Sequence, residues 1–420
     1  MKKILSIALA LCMIFALCAV SASADEKELR VWLWDDAFNG NAMRFAAEEY
    51  QKIDPDFKLT IELKADSSEC EELLTLAGTS GDYSNLPDIV LMQDNSCQKF
   101  ISTYPELFVD LTDSGIDFST IAAGKTAFSV VDGANYGVGF DSGTAIAAYR
   151  TDILDAAGYT IEDLTDISWD RWIEIAEDIL AKTGMPLLSD PLDSSDMIMI
   201  MLKSTGSALF DDEGNAFIAD NEALYDVIGT YQKLVEKGVI YRAADWAGYT
   251  STIADDQVAG VINGSWIIAT MNTATGGKAW KLTNLPALEG GTNYSSNGGS
   301  SWIVCTGGNT ELAEKFLAAT FAGSADLYDH MLSDESCGAI GNFLPAADTP
   351  AYGSPLNLFC GEAVYPTILA FGDKVPAFAT GAYYYDARDA VSAAASNYAQ
   401  GADLAKELQQ AQDDLEFAMG

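Results

Sequence analysis

The chain has 420 residues, with 23 Lys+Arg against 62 Asp+Glu and a single His, for a formal net charge of −39. With 49% hydrophobic and 20% charged residues it can bury a sizeable core, and its length exceeds what one core usually organises, so two domains are expected. A surface this negative repels phosphate backbones and anionic headgroups, which excludes nucleic acid and polyanionic partners, and one imidazole excludes sites that need several.

Lys2 and Lys3, the apolar run from Ile4 to Val20, and Ala22-Ser23-Ala24 before Asp25 read as a secretory signal peptide over residues 1–24. The run reaches only the short end of the bilayer-spanning range, and no later segment is long and apolar enough to span. Export permits disulfides. Cys70 with Cys97, or Cys337 with Cys360, are conceivable pairs, whereas Cys305 ends the apolar run Trp302-Ile303-Val304 and reads as a buried free thiol. No C-x-x-C pair occurs, which removes the usual zinc and redox frameworks.

The mature start alternates strand and helix. Glu28 to Trp34 and Phe57 to Leu63 are β-rich, Asn41 to Lys52 repeats Met43, Ala46, Ala47 and Tyr50 at helical spacing, Glu69 to Ala77 is a second helix, and Pro87 to Met92 is a short buried strand. Such alternation predicts parallel strands with helices on both faces, and ligands of such sheets sit at the carboxyl ends of strands. Trp34-Asp35-Asp36 follows the first strand and Gln93-Asp94-Asn95 the third, so both face one edge. The helix dipole from Asn41 onward is expected to keep the carboxylates beside it ionised. A second unit begins after Tyr136-Gly137-Val138-Gly139-Phe140-Asp141, with a strand from Thr144 to Tyr149 and helices from Ser168 to Ala181 and from Asn221 to Lys237. Val258 to Asn263 is a strand running into Gly264-Ser265-Trp266. Gly298-Gly299-Ser300-Ser301 precedes a strand from Trp302 to Thr306, and helices follow from Thr310 to Phe321 and from Tyr385 to the C-terminus.

No G-x-S-x-G elbow, H-E-x-x-H, Walker loop or G-x-G-x-x-G is present, and no catalytic, metal or cofactor-binding residue is assigned. His330 lies in a helix-like acidic stretch and reads as structural, and Asp211 to Asn215 reads as a solvated turn. The remaining constellation is aromatic and polar: Trp34, Trp246, Tyr249, Trp266, Trp302, Tyr383, Tyr384 and Tyr385 all adjoin Asp, Asn, Ser or Gly at predicted element ends. A pyranose offers a C–H face to an aromatic ring and hydroxyls to planar polar groups, so this mixture is what a sugar cleft needs.

Glu28 to Gly40, Leu86-Pro87-Asp88-Ile89-Val90-Leu91, Tyr136 to Ser142 with Tyr149 to Asp152, Val261 to Trp266, Gly298 to Trp302 and Tyr384 to Val391 together resemble bacterial extracellular solute-binding proteins of sugar-uptake ABC transporters, a group that includes maltodextrin-binding proteins. The resemblance implies an α/β, two-lobed periplasmic-binding-protein-like fold with a ligand cleft between interleaved lobes. One lobe would hold residues 25–140 plus about 290–335, the other 141–289 plus about 336–420. Asp35 and Asp36 would accept sugar hydroxyls, Asp94 or Asn95 would match the polar residue after the third strand, Trp266 the Asn-Gly-x-Trp stacking position, and Tyr384 with Arg388 the later aromatic and its arginine. Asp141, Trp246, Gly298, Gly299 and Trp302 complete the candidate set. The implied protein is a monomer that binds a carbohydrate, needs no cofactor and hands its ligand to an ABC permease. A secreted glycoside hydrolase, or the same fold holding a peptide or polyamine, are the alternatives. Leu17 before Cys18 and Leu11 before Cys12 depart from a lipobox, so lipid anchoring is not expected, while a secreted, periplasmic or signal-anchored protein stays open.

Overall fold

A computed structural model of the chain describes residues 27–420 except 193, 212, 274–278, 334–339 and 380. The signal peptide, with Cys12 and Cys18, and Cys337 therefore lie outside the described residues. The strands are β1 (Glu28–Leu33), β2 (Lys58–Leu63), β3 (Ile89–Gln93), β4 (Val130–Val131), β5 (Ala134–Asn135), β6 (Gly137–Arg150), β7 (Leu188–Pro191), β8 (Ile240–Ala243), β9 (Gly260–Gly264), β10 (Trp280–Thr283) and β11 (Ser296–Val304). One seven-stranded sheet runs in the order β10-β6-β11-β3-β1-β2, with β9 also paired to β6; β7 and β8 form a separate parallel pair.

The architecture is two-lobed α/β, and β6 and β11 join the lobes. The first half of β6 pairs antiparallel with nearly the whole of β11, from Gly137↔Ile303 to Thr144↔Ser296, and β11 continues the sheet onto β3. The second half of β6 instead takes β9 on one side, from Ala145↔Gly264, and β10 on the other.

Period-two alternation decides which face each side chain fills. Leu29, Val31 and Leu33 of β1, Ile89 and Leu91 of β3, and Trp302 and Val304 of β11 enter one buried layer. Trp32, Val90, Met92, Ile303 and Cys305 enter the layer on the opposite face. In β6 the same alternation sends Ile146 and Ala148 to the first layer and Ala145, Ala147 and Tyr149 to the core of the second lobe, where Trp172 donates to the Tyr149 hydroxyl at 2.8 Å. Each fully buried aliphatic side chain in these layers stabilises the fold by about 1.5–3 kcal/mol relative to exposure.

Helix Asn41–Gln51 buries Met43, Ala46, Ala47 and Tyr50, the stripe expected from spacing. Ser168 caps helix Trp169–Thr183 by accepting from the Arg171 amide, and Asn221 caps helix Glu222–Glu236. The C-terminal helix is two helices, Tyr384–Ala399 and Leu404–Met419. They are separated at Gly401, whose φ of 98° no helix accommodates, and the second restarts on the Asp403 cap. Phe343 stacks on Tyr328 at 5.5 Å and the Ala351 amide donates to Asp329. The stretch 341–352 thus packs on helix Ala325–Ser333, which itself meets helix Asn41–Gln51 through His330 on Phe45.

Cys70, Cys97 and Cys305 are buried free thiols of the layer behind β3 and β11, and Cys360 is an exposed free thiol. The conceivable Cys70–Cys97 disulfide is therefore not formed. Burial pushes the Cys70 thiol up to about 12 and raises those of Cys97 and Cys305 as well, so none is a ready nucleophile at neutral pH. Among the described residues, no helix is long and apolar enough to cross a membrane.

Candidate functional site

Because β1, β2 and β3 are parallel, their carboxyl ends share one edge, and β11, which runs against β3, begins at that edge. Trp34-Asp35-Asp36, Gln93-Asp94-Asn95 and Ser296 to Gly299 are gathered there. Across the junction, β9 ends opposite Ala145 and the Ser265 amide donates to the Thr144 carbonyl at 2.8 Å, so Trp266 emerges where β6 and β11 cross between the lobes.

Trp266 is seated by backbone. Its Nε1 donates to the Asn297 carbonyl at 3.1 Å, and Gly264 and Gly298 flank the indole. A Cβ on Gly264 would lie 2.2 Å from Nε1 and one on Gly298 3.3 Å away, so a glycine at 264 is a steric requirement. Beneath it runs a buried polar chain: Asn297 donates to Asn263 at 2.9 Å, and Asn263 donates to the Tyr249 hydroxyl at 3.0 Å. Trp246, 38% exposed, lies 5.6 Å from Trp266 and 5.0 Å from Tyr249 between ring centroids, and helix Trp246–Ala254 is held by the Asp245 cap. Asn263 and Asn297 are site residues that the sequence reading does not single out; the glycines beside each are the available signal.

The acidic candidates divide. Asp35 is partly buried and its carboxylate accepts from the Phe38 amide at 3.0 Å, opening the π-helical turn Asp36–Gly40. Burial raises its carboxyl above the usual 3.8 against the Phe38 and Ala37 amides, so the expected dipole effect does not dominate. Asp36 is exposed and paired with Arg44. Asp94 is buried, bridged to Lys125 at 2.5 Å and bonded by Ser301 at 2.9 Å, and Asp141 is buried under the Ser300 amide and hydroxyl at 2.9 and 2.5 Å. Gly299 has φ 107°, and a Cβ there would sit 2.5 Å from Asp94. Asp94 and Asp141 are therefore both buried beneath the crossing, which they brace. Lys125, which neutralises Asp94, carries no sequence signal, lying 31 residues away.

Trp302, expected at the site, belongs to the core instead: it is fully buried against Phe140 and Phe321 because β11 begins at Ser296 and alternation turns residue 302 inward. Trp34 packs half-buried against the layers on both faces of the first-lobe sheet, and Asn95 is buried in the first turn of helix Asp94–Thr103. Tyr384 is 7% exposed, with the Lys203 ammonium 5.0 Å from its ring; Arg388 lies 4.7 Å over Tyr385 and 3.9 Å from Asp196. Cavities of about 560 Å³, lined by Phe118, Ile121, Thr126 and Leu344 among others, and about 490 Å³, lined by Glu71, Lys99 and Tyr104 among others, lie off this crossing. Among the described residues, no group of three or more His, Cys, Asp or Glu is placed to hold a metal ion.

Two outcomes follow from this geometry. Gly264→Ala should displace the indole and cost about 1–3 kcal/mol of stability. A urea midpoint and tryptophan emission spectrum like those of the parent chain would show that the glycine seat is dispensable. Burial pushes the Asp94 carboxyl up to about 6, with Lys125 and Ser301 opposing. Its folded form thus holds a proton that the unfolded chain has lost, so Asp94 draws stability down as pH rises from about 4 to about 6. The stability gap between the parent chain and Asp94→Asn should narrow or reverse over that window in urea titrations. A pH-independent gap would contradict the buried-carboxyl account.

Residues 46–348 match the family described as bacterial extracellular solute-binding protein. A lactose-binding protein of Rhizobium radiobacter is 35% identical over 395 residues, covering 92% of each chain. An arabinooligosaccharide-binding protein of Bacillus subtilis is 23% identical over 340 residues and 76% of each chain. Among solved structures, an ABC-transporter-associated binding protein of B. animalis subsp. lactis, in complex with β-1,6-galactobiose, aligns with a TM-score of 0.76 at 19% identity over 93% of this chain and 96% of that one. The galacto-N-biose/lacto-N-biose I-binding protein of Bifidobacterium longum, in complex with lacto-N-biose, aligns with a TM-score of 0.72 at 16% identity over 92% and 95%.

Proposed function

We propose, from the premise that this chain belongs to the bacterial extracellular solute-binding proteins, that it captures a neutral carbohydrate of two or more units between its lobes and delivers it to an ABC permease in the cytoplasmic membrane, acting as an exported monomer without cofactor. The observation that carries this reading is the Trp266 indole, fixed on the backbone of Gly264, Asn297 and Gly298 where the lobes join, beside exposed Trp246. A ring locked in place offers a flat apolar face at little entropic cost, and the polar ends of β1 and β3 border it. One relative is a lactose-binding protein and two others are arabinooligosaccharide-binding proteins, which supports a sugar over a peptide or polyamine. The lobes divide, in this reading, at β6 and β11, with 25–140 plus about 290–335 in the first and 141–289 plus about 336–420 in the second, and the packing of 341–352 on helix Ala325–Ser333 supports a later return within that last segment.

A glycoside hydrolase needs two carboxyl groups flanking the scissile bond. The acids at this edge do not form such a pair, since Asp35 caps a turn with one oxygen and leaves the other for a hydroxyl, Asp36 pairs with Arg44, Asp94 pairs with Lys125, and Asp141 fixes Ser300. Binding without catalysis is the reading these partners favour.

The test is calorimetry with lactose, galactobiose and arabino-oligosaccharides beside a reducing-end assay. Saturable binding without release of reducing ends is the expected result, and ends released in proportion to protein would overturn it. Trp266→Ala should lose about 1–3 kcal/mol of binding, as buried interface aromatics do, while the chain still folds. Undiminished affinity in a folded variant would remove Trp266 from the site. Asp35→Asn keeps the cap and removes the charge, so it should weaken sugar binding about tenfold with a small change in melting temperature. A fallen melting temperature with intact affinity would leave Asp35 as a cap alone.

A further inference from the structure

Resting on the reading of a cleft that closes on its solute, we infer that Lys99 and Asp386 form a latch that holds the lobes together before any solute arrives, and so set affinity without touching it. Lys99 projects from helix Asp94–Thr103, whose Cys97, Phe100 and Ile101 belong to the first-lobe layer behind β3. Asp386 lies in the first turn of helix Tyr384–Ala399, whose Ala387, Val391 and Ala394 belong to the second-lobe core. The ammonium donates to the Asp386 carboxylate at 2.5 Å and lies 5.1 Å from the centroid of the Tyr383 ring. One cation thus meets a carboxylate and an aromatic face of the opposite lobe. The Tyr385 hydroxyl donates to the Gln93 side-chain carbonyl, a second bond across the same gap.

Both ends are built into packed elements. Asp94, at the start of the Lys99 helix, is fixed by Lys125 and Ser301, and helix Tyr384–Ala399 packs along Leu404–Met419. The contact therefore acts on whole lobes and not on a loose loop. The Lys99 and Asp386 side chains are 35% and 37% exposed, so water and salt screen the pair. A pair of this exposure shifts the closed-to-open ratio by about two- to fivefold, enough to bias the lobes and too little to lock them. Because a solute that needs the closed form binds in proportion to the closed fraction, the latch raises apparent affinity by up to that factor. Salt also screens the self-repulsion of a chain of net charge −39, so exchanging the two charges, and not added salt, isolates the latch.

The experiment is small-angle scattering of the solute-free chain at low salt for the parent, Lys99→Asp, Asp386→Lys and the double swap Lys99→Asp/Asp386→Lys, with circular dichroism to confirm folding. Both single variants should show a larger radius of gyration, and the double swap should return toward the parent. The same radius in all four chains, or a double swap as open as the singles, overturns the latch. Lactose titrated calorimetrically into the same proteins should bind about two- to fivefold more weakly to each single variant. A parent chain that binds no sugar would count against the carbohydrate reading, while the scattering comparison still decides the latch.

Discussion

The hydrogen bond from the Trp266 indole to the Asn297 carbonyl sits where the two lobes are joined, and the site depends on it. For an indole to reach that carbonyl, nothing larger than a hydrogen can stand on Gly264. For Asn297 to present it, β11 must begin at the crossing and β6 must pass beside it, which brings Gly143 against the Asn297 carbonyl with no room for a side chain. The Asn263 and Tyr249 chain below then gives the side-chain NH2 groups of Asn297 and Asn263 their acceptors, donors that would be costly if left unpaired in the interior.

The electrostatics of the crossing follow from the same crowding. Glycine at 299, forced into positive φ, brings the backbone against Asp94, and burial of that carboxylate is tolerated because Lys125 is buried with it. A chain with a net charge of −39 thus spends one of its few cations beneath the site. The result is a braced floor with Trp266, Trp246 and Asp35 above it, which suits a ligand recognised by shape and hydroxyls.

Much of this is legible in the sequence because it is periodic. Met43, Ala46, Ala47 and Tyr50 fall on one helix face, and the parallel start puts the ends of β1 and β3 on one edge. The crossing strand is the harder case. The sequence reading takes only Thr144 to Tyr149 as strand, whereas β6 runs from Gly137 to Arg150, because Gly137, Gly139 and Gly143 lower β propensity while the structure needs them for close approach to Ser129, Lys125 and Asn297. Trp302 looks like a residue at a strand entrance, but β11 starts six residues earlier and alternation buries it. Asp94 and Asp141 stand out in the sequence by their charge, which hides the contacts that seat them, Lys125 and Ser301 for Asp94 and Ser300 for Asp141.

The central claim is that solute is held at the crossing of β6 and β11. Hydrogen–deuterium exchange of the chain with and without a saturating disaccharide tests it most directly, since a ligand seated there must slow exchange in the segments that wall it. Protection is predicted in peptides covering residues 33–36, 92–95, 264–267 and 296–299, which come from both lobes. Protection confined to the groove lined by Phe118, Ile121 and Leu344, or to one lobe alone, would contradict it.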